Sequence, residues 1–122
     1  MFNLRCDTPK AWIDAVLGDL DSFLIDHAAC ERKASATAMT FVVRYPDRKD
    51  IVTSMIEVAQ DELDHFAQVT SLLFARGLML KKDEKDPYVN AMLKLVRGPS
   101  LERLIDRLLI FGVIEGRGCE RF

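Results

Sequence analysis

A chain of 122 residues with 49% hydrophobic and 30% charged side chains can bury one core, and its formal net charge of −2 gives no global basic field for nucleic acid or a membrane surface. Cys6, Cys30 and Cys119 are an odd set without CxxC spacing, which argues against a disulfide framework and fits a reduced chain. No apolar run approaches the roughly 20 residues needed to span a bilayer, and no leader-like segment opens the sequence, so a soluble cytoplasmic protein without a membrane partner is predicted.

The predicted elements are helical. In DTPKAWIDAVLG, Asp7 or Thr8 can cap a helix with Pro9 in its first turn that stops near Gly18. A second helix starts near Asp19 or Asp21 and runs to about Tyr45, before Pro46. Asp47 can cap a third, with Asp50 in its first turn and Gly77 past its end. That helix would have about 29 residues and a length of roughly 44 Å. A short helix from Pro87 to Val96 follows, between Asp86 and Gly98, and a last long helix begins near Ser100 and is still running at Phe122. The ending IEGRGCERF carries no stop signal. The pattern therefore predicts an all-α fold: an incomplete four-helix bundle of three long helices plus short ones, in a single domain over residues 1–122. A second copy or a further helix should fill the apolar groove, so a homo-oligomer is expected.

Each long helix carries an acid where its apolar stripe calls for a hydrophobic residue. The third helix reads Ile51, Met55, Val58, Glu62, His65, Val69 and Leu72 in helical steps. The second reads Leu20, Leu24, His27, Glu31, Ala34, Ala38, Phe41 and Tyr45, and the last reads Leu104, Leu108, Phe111, Glu115, Cys119 and Phe122. Burying an unpaired carboxylate costs several kcal/mol or forces its protonation, and three in one core would repel one another. Two divalent iron or manganese ions would balance them, and Glu-x-x-His places a carboxylate and an imidazole one turn apart on one face. The plainer readings are that Glu31 pairs with Arg32 or another arginine, and that His27 is a core histidine or one that orients a ligand.

The stretches IDHAACERKASA, AQDELDHFAQV and IEGRGCERF together resemble the tRNA-(2-methylthio-N6-isopentenyladenosine) hydroxylase family, the MiaE-type ferritin-like di-iron monooxygenases, from about Thr8 to the last residue. The resemblance implies an O2-dependent di-iron centre that hydroxylates the isopentenyl side chain of a hypermodified tRNA adenosine, with electrons from a partner reductase. Glu31 matches the lone glutamate of the first bundle helix, Glu62 and His65 the first Glu-x-x-His, and Glu115 the lone glutamate of the third. A second Glu-x-x-His on a fourth helix is implied beyond Phe122, so four of six metal ligands are expected here. Glu120 rivals Glu115, because CERF at Cys119 echoes CERK at Cys30. Glu115 lies on the apolar stripe, whereas Glu120 sits about 140° further around the helix. Two other functions stay open: another ferritin-like activity such as peroxide reduction or iron oxidation, and a metal-free helical interaction module.

Overall fold

The computed structural model describes residues 5–121, with residue 100 by its backbone alone. All regular structure among the described residues is helical: α1 (Lys10–Gly18), α2 (Leu20–Arg44), α3 (Lys49–Ala75), α4 (Pro87–Leu93) and α5 (Ser100–Arg121). No helix among them is long and apolar enough to cross a membrane. Cys6, Cys30 and Cys119 are not joined to one another in a disulfide. The chain divides into two compact units, one from Ala15 to Asp83 and the other combining the residues before Ala15 with those from Glu84 on.

In the first unit α2 and α3 pack as a hairpin. Asp19 starts α2 by accepting the Ser22 amide at 3.1 Å, and Tyr45, the residue before Pro46, ends it. The expected Asp47 cap is not used. Arg48 occupies the cap position of α3 with no side-chain bond, so the helix starts later and has 27 residues. Its far end closes through Gly77 at φ 72°, a left-handed conformation that glycine adopts without steric cost. The Leu78 amide reaches the Leu73 carbonyl at 2.9 Å and the Gly77 amide reaches Phe74 at 3.0 Å, the paired bonds of a Schellman ending. That turn sends the chain back along the hairpin. Leu78 and Leu80 pack on a core of Ala28, Val69 and Leu73, flanked by Leu24, Ile25 and Phe66.

Two arginines secure this return. Arg76 binds Asp21, tying the end of α3 to the start of α2. Arg32 donates to the Lys81 carbonyl at 3.2 Å and to Asp83 at 2.6 Å, with its guanidinium 5.8 Å from the Phe66 ring centroid.

In the second unit Asp86 caps α4 by accepting the amides of Tyr88 and Val89. The expected helix to Val96 stops at Leu93, because Leu95 and Val96 donate to carbonyls three residues back and the last turn tightens. On α5, Leu104 and Phe111 are buried, Leu108 and Glu115 are partly buried, and Cys119 is exposed. Phe122, the last residue of the expected stripe, lies outside the described residues.

Candidate metal centre

The short connection between α2 and α3 makes the helices antiparallel neighbours, so a residue near the middle of one faces the middle of the other. Glu31 stands near the middle of α2 and Glu62 near the middle of α3, with His65 one turn further along. Their side chains converge: Nδ1 of His65 is 3.5 Å from Glu31 Oε2 and 3.6 Å from Glu62 Oε2. One potential ligand atom from each lies within 4.8 Å of the others. A small divalent ion with ligands at about 2.1 Å separates adjacent donors by roughly 3.0–3.4 Å and opposite donors by roughly 4.2 Å. The cluster therefore needs only a small contraction to hold an ion. Two carboxylates and an imidazole form a mixed oxygen and nitrogen set of the kind that suits iron or manganese.

Exposure separates the three residues. The side chains of Glu31 and Glu62 are 12% and 13% exposed, whereas that of His65 is 57% exposed. Here the structure departs from the sequence stripe, which expected both His65 and Leu72 to face inward. Leu72 is also more than half exposed, and the buried face runs through Val69, which is on the stripe, and through Ala59 and Leu73, which are not. Steps of three and four average 3.5 residues, while the helix turns every 3.6. A stripe drawn that way drifts about 20° per heptad, or about 60° from Ile51 to Leu72. Glu62 stays on the packed side, and His65 falls at its edge.

His27 lies behind Glu31. Its Nε2 is 3.3 Å from Glu31 Oε1, and its ring stacks on Phe23 at 5.6 Å. Burial pushes the His27 imidazole below its ordinary range, and nearby His65 adds to that against the opposing pull of Asp26 and Glu62. Nε2 is the ring nitrogen that faces Glu31, so an N–H placed there selects the tautomer. Glu31 thus turns one oxygen to His27 and the other to His65, an outer contact of the kind that orients metal-binding carboxylates.

Glu115 and Glu120 belong to the other unit. Glu120 accepts from the Thr8 amide and from Arg117, whose guanidinium also donates to the Cys6 carbonyl at 2.9 Å. Arg32, considered from the sequence as an ion-pair partner for Glu31, reaches Asp83 instead. Sequence reasoning missed this contact because no motif marks a residue in an irregular segment as the partner of one on α2. It also missed Ser35, whose hydroxyl donates across to the Ala59 carbonyl at 2.9 Å. The available signal was its place four residues after Glu31, on the same helical face.

The family described as tRNA-(MS[2]IO[6]A)-hydroxylase (MiaE) matches residues 2–122. A tRNA 2-(methylsulfanyl)-N(6)-isopentenyladenosine(37) hydroxylase from Pseudomonas putida is 40% identical over 119 residues, covering 98% of this chain and 58% of that protein. A protein of the same name from Salmonella typhimurium is 28% identical over 168 residues, covering 98% of this chain and 62% of its own length. Among solved structures, a Synechococcus protein with aldehyde deformylating oxygenase activity superposes with a TM-score of 0.89 at 34% identity, covering 99% of this chain and 60% of that one. The fold is ferritin-like and all-α. The chain spans about three fifths of the length of each of these relatives.

Proposed function

The chain belongs to the tRNA-(MS[2]IO[6]A)-hydroxylase (MiaE) family, and on that premise we propose that it serves the iron- and O2-dependent hydroxylation of the isopentenyl side chain of a hypermodified tRNA adenosine. The observation that carries this reading is the convergence of Glu31, Glu62 and His65 at the middle of the α2–α3 hairpin. Glu31 and Glu62 would hold iron through carboxylate oxygens and His65 through its imidazole, with Glu115 as a further carboxylate from α5. Glu115 is preferred to Glu120 in that role because it lies on the apolar stripe of α5. When bound, a pair of iron ions supplies the chemistry by which one atom of O2 enters a C–H bond and the other leaves as water, using two electrons from a partner reductase and two protons.

The residues of the chain bind and orient. His27, wedged on Phe23, holds one oxygen of Glu31 so that the other points to the cluster. The shielded carboxylates sit on the packed side, where water competes least. The half-exposed His65 marks the edge at which substrate can approach. This reading takes the chain as one ferritin-like domain acting in the cytoplasm, where its tRNA substrate is. It also includes self-association, supported by large apolar side chains left exposed on α3 and α5, such as Leu72 and Leu109. Sedimentation at increasing concentration checks that part.

The decisive assay supplies the iron-loaded protein with reductant, O2 and tRNA carrying the isopentenyl adenosine, then weighs the released nucleoside. Gain of one oxygen atom is the expected result. The Synechococcus structure favours a second reading, an oxygenase acting on an aldehyde. Unchanged nucleoside together with consumption of a long-chain aldehyde would transfer the assignment to it.

A further inference from the structure

We propose that Ser35 is a positioning residue of the metal centre, its hydroxyl fixing the axial register in which Glu31 of α2 meets Glu62 and His65 of α3. The use of that register rests on the metal reading above; the geometry rests on the packing of the hairpin alone.

Ser35 lies four residues after Glu31, and Ala59 lies three before Glu62, so both stand one turn from the cluster on the faces that carry it. The Ser35 hydroxyl donates to the Ala59 carbonyl at 2.9 Å, across the interface. Other hydroxyls on these helices behave differently. Thr37, Thr40, Thr53 and Ser71 each donate to the carbonyl four residues back in their own helix, as serine and threonine ordinarily do. Ser35 alone among these five reaches the neighbouring helix.

The surroundings explain why one bond matters. Beside Ser35 the shielded side chains are small: Ala38 and, across the interface, Ala59 are buried and Ala34 is partly buried, with Phe41 and Ala28 buried further along α2. Alanine faces let two helices approach closely, but their ridges are shallow, and a slide replaces one alanine contact with another of similar shape. Such packing sets the distance between helices better than their register. A hydrogen bond is directional and fails beyond about 3.5 Å, so a displacement of about 2 Å along the axis, across a bond of 2.9 Å, breaks it. The same displacement would pull Glu31 away from His65 on the facing helix.

The test compares Ser35→Ala, Ser35→Thr and the control Thr37→Ala in the whole chain. Alanine favours helix more than serine does, so a loss in Ser35→Ala cannot be attributed to a weakened helix. Co(II) serves as the probe, followed by its visible absorption. Ser35→Ala should bind Co(II) roughly 10- to 100-fold more weakly, the range seen when an outer support of a metal site is removed, with an altered absorption band. Ser35→Thr, which keeps the hydroxyl, and Thr37→Ala should match the parent. A second readout needs no metal. Nuclear Overhauser contacts between the His65 ring and the Glu31 side chain should be present in the parent and weakened in Ser35→Ala. A parent that binds no Co(II) would sink the metal reading, and the Overhauser contacts would then decide the register claim by themselves. Unchanged Overhauser contacts in Ser35→Ala, or unchanged affinity in a protein that does bind Co(II), would overturn the proposal.

Discussion

In the unit that contains α5, Asp106 is gripped by Arg97 through side-chain bonds of 2.9 and 2.7 Å and by the Arg97 amide at 2.9 Å. In the α2–α3 unit, Glu31 and Glu62 turn toward imidazoles at 3.3–3.6 Å. Both arrangements set carboxylates against nitrogen donors, and the consequences differ. A guanidinium fork neutralises a carboxylate and satisfies both of its oxygens, which leaves little for any other cation. The Arg97 bonds hold the Asp106 carboxyl down to about 2. An imidazole meets a carboxylate through a single nitrogen, which sets its direction and leaves other lone pairs of its oxygens for a cation. Acids arranged in the second way retain affinity for a divalent ion, and that distinction, more than the count of acids, marks the candidate site.

Substitution at the centre should have the largest effect. Glu31→Ala should weaken Co(II) binding by more than the roughly 10- to 100-fold that loss of an outer support costs, and Asp106→Ala should leave it unchanged. Equal losses in both variants would erase the contrast between the units. Next comes the core of the hairpin. Leu73 is fully buried, so Leu73→Ala should destabilise the metal-free protein by about 2–5 kcal/mol in denaturant melts. Leu95, between α4 and α5, is 75% exposed, and Leu95→Ala should change stability by no more than about 0.5 kcal/mol.

The third prediction concerns sign. Glu62→Gln removes a charge that the metal, and not the protein, is meant to balance. It should raise the stability of the metal-free protein by about 0.5–2 kcal/mol, as is usual where function keeps a strained site. Destabilisation would mean that the carboxylate is already satisfied within the fold. The smallest effect belongs to Asp106. Its folded carboxyl titrates near 2, below the ordinary 3.8, so its contribution is complete above the ordinary value and is lost as pH falls from about 4 to about 2. An Asp106→Asn variant should show a shallower loss of stability over that window, and an unchanged slope would dissolve the Arg97 clamp as an explanation.

Much of this was legible in the sequence. Helix positions follow from Pro46, Gly77, Asp86 and the apolar periodicity, and Glu31, Glu62 and His65 from the interruptions in that periodicity. Other features were hidden for physical reasons. The Arg48 start of α3 escaped because a plausible cap residue, Asp47, need not be used. The edge position of His65 escaped because a 3.5-residue stripe drifts against a 3.6-residue helix. The Arg32–Asp83 and Ser35–Ala59 contacts join residues 51 and 24 positions apart, and nothing local in either segment encodes the partner.

The central claim is that Glu31, Glu62 and His65 form a metal site. Anaerobic titration of the protein with Fe(II), with bound metal counted after desalting, tests it most directly when the parent is run beside Glu62→Ala. Iron retained by the parent and lost from the variant is the expected result. Equal retention in both, or none in either, would contradict the account.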